Sequence, residues 1–133
     1  MTIVDTEMRP ENSPDKASHY IAAATMPWQP TKFPGIEMKL LYTDLATGLS
    51  TMLFRMAPGA EVPLHEHTAI EQTYMLEARL VDHEGECTPG NFVWRPGGSR
   101  HIARAPEGAI FLSMFLKPNR YAAGQRFFTE EEK

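Results

Sequence analysis

Apolar and polar residues alternate in short runs broken by turn signals, a period-2 pattern that predicts β-strands along most of the chain. Ile36, Met38, Leu40 and Tyr42 alternate with Glu37, Lys39, Leu41 and Thr43, with Leu41 the one exception. Turn chemistry over 44–48 leads into a second strand over 49–56, so the two predict a hairpin. Residues 72–80 read as one longer strand, 82–85 as a turn, and Glu86-Cys87 as a short strand before the Pro89-Gly90 turn. Three more strands are predicted over 91–94, 101–104 and 109–116, separated by Pro96-Gly97-Gly98 and Pro106-Glu107-Gly108. The last of these is apolar on both faces, as a strand covered on both sides would be, for instance one extended between subunits. No stretch repeats apolar residues at helical spacing for long enough to form a core helix. Strands with turn signals roughly every eight to twelve residues predict an all-β sandwich or barrel.

The flanks lack this pattern. Residues 1–17 are polar, hold Pro10 and Pro14, and predict an N-terminal arm that is either flexible or docked elsewhere. The stretch S-H-Y-I-A-A-A over 18–24 precedes M-P-W-Q-P, whose prolines exclude a long helix or a central strand. An edge strand is expected there, with Trp28 and Phe33 covering one end of a barrel. The barrel itself is placed over 18–118. The tail over 119–133 carries Tyr121, Phe127 and Phe128 before its acids, and with the arm it points to a homodimer.

A chain of 133 residues makes one domain with a sizeable core. Its 13 basic and 17 acidic residues give a net charge of −4, and the scattered basic residues argue against a nucleic-acid surface. Cys87 is the single cysteine, so no intramolecular disulfide forms, and a reducing compartment and a filler role in a strand are expected. The N-terminus shows no basic segment followed by an apolar core, and the longest apolar run is too short to span a bilayer. The expectation is a cytoplasmic protein without membrane contact.

Candidate chemistry concentrates in two stretches. Residues 59–71 read G-A-E-V-P-L-H-E-H-T-A-I-E, placing His65 and His67 on one face of a strand. Glu71, after a bend over 68–70, can offer an oxygen to the same point. Residues 90–101 read G-N-F-V-W-R-P-G-G-S-R-H and supply His101. Three imidazoles and a carboxylate suit iron, manganese, nickel, zinc or copper. Read without that register, an H-x-H pair alone is commonly two surface histidines. Neutral ligand histidines predict a metal affinity that falls below about pH 6. Gln72, Tyr74, Arg55, Arg95 and Arg100 lie near the motifs without an assigned role, Arg100 facing away from the site. His19 reads as a solvated tail residue and His83 as an exposed turn residue.

These stretches resemble the two cupin motifs, G-x5-H-x-H-x3-E-x6-G and G-x5-P-x-G-x2-H-x3-N. Gly59, His65, His67 and Glu71 match the first and Gly90, Pro96, Gly98 and His101 the second, while Ala78 replaces the final glycine and Ala105 the final asparagine. More narrowly, the run from Pro34-Gly35 to the P-E-G-A of 106–109 resembles the subgroup holding the cupin domain of zinc-binding anti-sigma factors and the acetylacetone and 2,4'-dihydroxyacetophenone dioxygenases. The resemblance implies a single-domain jelly-roll barrel, a double-stranded β-helix, assembled as a homodimer. It implies one divalent metal ion per chain, Fe(II) favoured over Zn, Ni or Mn, held by His65, His67, Glu71 and His101. Some of the resembling dioxygenases use three histidines only, which leaves open whether Glu71 binds or stands alongside. The implied activity is that of a non-haem iron dioxygenase, an oxidoreductase using O2 to cleave a C–C bond of a small β-diketone or aryl ketone. The alternatives are a zinc-binding regulatory or sensor cupin without catalysis and a non-oxidative isomerase or lyase. The anti-sigma relatives carry a separate sigma-binding helical domain, for which this sequence shows no stretch.

Overall fold

The hairpin predicted over 36–56 forms, but its alternation slips partway. In a computed structural model describing residues 9–121, β2 (Ile36–Thr43) pairs antiparallel with β3 (Ser50–Met56). Ile36 and Met38 point into the core, and a bulge between Leu40 and Tyr42 then turns Tyr42 toward solvent; Leu40, still opposite Met52, is exposed as well. The bulge accounts for the Leu41 exception, because one extra residue inverts the facing of everything after it. On the outer side of the hairpin Lys39 is buried, its Nζ donating to the Ala23 carbonyl at 2.7 Å and lying 4.7 Å from the Trp28 ring centroid. Trp28 therefore covers the outer face of β2 and β3 rather than a barrel end, whereas Phe33 packs against the core. The predicted edge strand is reduced to the two residues of β1 (Gln29–Pro30), which pair with β2; 18–24 is not a strand.

Two antiparallel sheets face each other. The remaining strands are β4 (Ala60–Glu66), β5 (Glu71–Ala78), β6 (Leu80–Asp82), β7 (Gly85–Cys87), β8 (Phe92–Arg95), β9 (Arg100–Ala105), β10 (Ala109–Phe115) and β11 (Arg120–Tyr121). The larger sheet runs β1-β2-β3-β10-β5-β8 and the smaller β11-β4-β9-β6-β7, an all-β jelly roll without an α-helix among the described residues. Phe54, Met75, Phe111 and Phe115 of the large sheet meet Val62, Leu80, Cys87 and Ala103 of the small one. Phe54 stacks 5.3 Å from Phe111 and 6.1 Å edge-on to Phe115. Met38, Met52, Met56 and Met75 fill this core, the adaptable filler role of an unbranched thioether. Cys87 is buried in it, and burial pushes its thiol pKa up, consistent with filler rather than redox use. In β10, Phe111, Ser113 and Phe115 face inward, while on the outer face Ile110 and Leu112 are half-buried and Met114 is exposed. Phe127 and Phe128 lie outside the described residues.

The long strand predicted over 72–80 is two strands in different sheets. It breaks after Ala78, which has φ +56°, the one non-glycine residue with positive φ among the described residues. This is the position where the first motif expects glycine. The corner hands the chain from the large sheet to the small one, and a Cβ in the left-handed region costs about 1–2 kcal/mol. Glycine would relieve that strain at a cost of about 0.5–1 kcal/mol in chain entropy. Ala78→Gly is accordingly expected to stabilise the fold by about 0.5–1 kcal/mol, read as a melting temperature roughly 2–4 °C higher. A lower melting temperature would contradict the assignment of strain.

Candidate metal centre

The ladder between β4 and β9 puts His65 directly opposite His101. A bulge between Val62 and His65 accommodates Pro63, which could not donate within an unbroken ladder. His67 lies just past β4 and is clamped by the second motif: its N–H donates to the Ser99 carbonyl at 2.9 Å and its carbonyl accepts from the Gly98 N–H at 2.6 Å. A side chain at Gly97 would come within 3.2 Å of the Ala69 backbone, so the tight Pro-Gly-Gly turn is what lets these two stretches approach. Glu71 opens β5 beside them. The sequence-predicted histidines converge: His65, His67 and His101 are buried, and their ligating nitrogens all lie within 4.8 Å of one another.

Hydrogen bonds fix the tautomer of each ring. His65 Nδ1 lies 2.7 Å from the Pro63 carbonyl, which can only accept, so that nitrogen carries the proton. His101 Nδ1 lies 2.8 Å from Asp82 Oδ2. Asp82 has its pKa brought down to about 2: burial alone would raise it, but the His101 contact, the Glu84 backbone N–H and the Arg95 charge outweigh that. It is therefore an ionised acceptor, and His101 donates to it. Ser99 Oγ donates its one proton to the Pro96 carbonyl at 2.7 Å and hence accepts from His67 Nδ1 at 2.9 Å. Each Nε2 then carries a lone pair rather than a proton, and the three rings cluster with centroids 4.5–4.9 Å apart.

That arrangement asks for a cation. His65 Nε2 and His101 Nε2 are 3.0 Å apart, too close for two bare lone pairs unless a proton or a metal ion intervenes. Burial, above all, pushes the pKa of His65 and of His101 down to about 4, with Arg95 adding to the effect, so at neutral pH no proton is held there. His67 Nε2 is buried without a hydrogen-bond partner among the described residues and stands 3.3 Å from Glu71 Oε1. Burial would raise the Glu71 pKa, but its carboxyl is held below the usual range, with the charge of Arg95 among the causes. Three neutral imidazoles beside an ionised carboxylate suit a divalent ion, and an open chamber of about 30 Å3 adjoins them.

The shifted histidines also bear on the expected pH window. Burial holds the pKa of His65 and of His101 near 4 in the folded chain, so at these two ligands proton competition for metal is weighted toward pH 4. The sign for the metal-free fold follows from the same shift: between about pH 6.5 and 4 the unfolded chain binds more protons, so stability falls as pH falls through that range. Metal content measured after dialysis is expected to fall as the pH is lowered, most steeply near pH 4. Loss already complete at pH 6 would contradict the burial assigned to these rings.

Asp82 is the functional side chain that sequence reasoning missed, since it reads there as a turn residue. It does form the turn, accepting from the Glu84 and Gly85 N–H groups, while its other oxygen serves His101 and Arg95. Arg95, named without a role, donates to Asp82 at 2.8 Å and brings Nε to 3.7 Å from Glu71 Oε1 with its side chain only 12% exposed. The other arginines point away: Arg55 pairs with Glu37 and stacks on Trp28, and Arg100 pairs with Glu66. Tyr74 is exposed and Gln72 half-buried on the outer side of β5. His19 and His83 are exposed, as expected.

Solved structures of known proteins share this fold. An acetylacetone dioxygenase from Acinetobacter johnsonii is similar over 90% of this chain and 89% of its own, at 19% identity and a TM-score of 0.75. A polyketide cyclase, RemF from Streptomyces resistomycificus, is similar over 80% of this chain and 86% of its own, at 19% identity and a TM-score of 0.63. The anti-sigma factor ChrR, solved with SigE from Rhodobacter sphaeroides, shares 21% identity over 69% of this chain at a TM-score of 0.60, the match spanning 49% of that chain. No functionally curated sequence matches. The family model of the ChrR cupin-like domain matches residues 16–120, nearly the whole described chain and both motif stretches, and the protein belongs to that family.

Proposed function

We propose that this protein is a metal-dependent cupin dioxygenase, an oxidoreductase that cleaves a C–C bond of a small β-diketone or aryl ketone with O2. The observation that carries the metal site is the convergence of three Nε2 lone pairs, two of them 3.0 Å apart, in a buried chamber. His65, His67 and His101 would hold the ion, with Glu71 as the fourth ligand beside His67. Iron(II) is favoured over zinc, nickel or manganese, and would supply Lewis acidity and O2 activation. The chain's own residues contribute the rest: Pro63, Ser99 and Asp82 hold the imidazole protons on Nδ1, and Phe54, Phe111 and Phe115 exclude water. Asn119 lines the chamber with its Oδ1 buried and without a partner among the described residues, an acceptor for a substrate hydroxyl or a water. Similarity to the acetylacetone dioxygenase supports the oxidative reading.

One observation favours a second reading, a zinc-binding regulatory cupin without catalysis. A chamber of about 30 Å3 has room for little more than a water, so an organic substrate would have to extend past Arg95 and Leu80 toward the surface. Elemental analysis of anaerobically purified protein, followed by O2 uptake on a panel of β-diketones and hydroxyacetophenones, separates the two. Iron near one equivalent with O2 uptake supports the dioxygenase; zinc without uptake on any panel member supports the regulatory reading, and anaerobic turnover would point to an isomerase or lyase.

The proposed assembly is a homodimer. The outer face of the large sheet exposes Tyr74, Leu76, Phe92, Trp94 and Met114, a patch that single soluble chains seldom leave bare. Sedimentation at twice the chain mass is expected, with Leu76→Asp shifting it to the monomer. A cytoplasmic location is proposed as well; no described helix is long and apolar enough to cross a membrane.

A further inference from the structure

A permanent positive charge stands at a site built for a cation. Arg95 lies with its side chain 12% exposed, 3.7 Å from Glu71 and 2.8 Å from Asp82, which itself holds His101. It lines the chamber at the histidines and, together with Leu80, also lines a cleft of about 520 Å3 that opens between β7 and β8. Arg95 and Leu80 are therefore the wall between the cleft and the centre, and a ligand arriving by that route passes the guanidinium. On its own, a guanidinium there weakens binding of a divalent ion, because like charges repel across a medium drier than water.

The charge count gives that arrangement a purpose. Three neutral histidines, Glu71, Asp82 and Arg95 sum to one negative charge, and a divalent ion brings the buried centre to one positive. A single monoanion makes it neutral, whereas a neutral ligand leaves a net charge out of water and a dianion overshoots. We propose that Arg95 is a specificity-determining residue that selects singly charged anionic ligands, such as a carboxylate or an enolate, entering the metal centre from the β7–β8 cleft. Asp82 positions the guanidinium, and its negative charge together with that of Glu71 offsets the repulsion toward the ion. This rests on the metal-site reading above but not on the dioxygenase activity.

The test uses ligand binding and needs no turnover. Full-length protein is loaded with cobalt(II), its metal content is measured, and azide (a small monoanion) and imidazole (neutral) are titrated by visible absorption. In Arg95→Gln, azide affinity is expected to fall about tenfold or more, as expected for losing a unit charge a few ångströms away, with imidazole affinity within about threefold of wild type. Arg95→Lys retains the charge, tolerates the fold better, and is expected to hold azide within about threefold. Unchanged azide binding in Arg95→Gln, a parallel loss of azide and imidazole, or a tenfold azide loss in Arg95→Lys each overturns the proposal while leaving the metal site standing. Wild-type protein that takes up no cobalt overturns the site and this inference together.

Discussion

Replacing His67 with alanine is expected to strip the protein of metal while leaving it folded. A structural ion held by four ligands is worth about 10–16 kcal/mol, on the order of 3 kcal/mol for each ligand, so losing one weakens binding a hundredfold or more. His67 has the least ambiguous part in that set, because its Nε2 is buried, lacks a hydrogen-bond partner among the described residues and faces the ionised Glu71 at 3.3 Å. Removing the ring also removes two acceptors facing each other, which offsets part of the cavity left behind. The metal-free variant should therefore melt close to metal-free wild type. Elemental analysis beside thermal melting checks both halves. Metal near one equivalent in His67→Ala would end the assignment of this site, whereas loss of metal only together with loss of fold would reduce His67 to a packing residue.

A change one shell outward should be nearly as damaging. Four donors converge on Asp82: the Glu84 and Gly85 N–H groups on Oδ1, and His101 Nδ1 with Arg95 on Oδ2. Asparagine offers one acceptor oxygen and one amino group. With the oxygen kept by the turn, the amino group faces His101 and forces its proton from Nδ1 to Nε2, the atom directed at the ion. With the oxygen turned to His101, the two turn N–H groups meet the amino group instead. Either way Arg95 loses its closest negative partner while remaining buried, and breaking such a pair costs about 3–5 kcal/mol. Asp82→Asn is expected to lower metal affinity about 10–100-fold and to destabilise the metal-free protein by about 3 kcal/mol. Isothermal titration with cobalt(II) or zinc, paired with chemical denaturation, measures the two effects. Wild-type affinity in Asp82→Asn would mean that the His101 tautomer does not depend on this carboxylate.

Most of the strands, the turns between them and the three histidines were legible in the sequence, because each is a local property. Period 2 marks a strand, Pro-Gly pairs mark its ends, and H-x-H on a strand places two rings on one face whatever surrounds them. Ala78 shows the limit of this: its departure from the motif glycine is visible in the sequence, but the left-handed backbone that makes it matter is set by the corner between two sheets. Tyr42 shows it too, since a bulge set by pairing with β3 turns it outward against its own alternation.

The electrostatic character of the centre was decided only by the tertiary structure. Asp82 in D-H-E-G reads as a turn residue, and it is one; only the pairing of β6 with β9 brings its second oxygen to His101. Arg95 looks like any arginine at a strand end until β8 pairs with β5 and sets it opposite Glu71. Which atoms can bind a metal is already fixed by residue type, because ligand chemistry belongs to the side chain. Which tautomers they adopt, how far burial lowers their pKa values and what charge stands beside them belong to neighbours far away along the chain, and those were supplied by the packing of the two sheets.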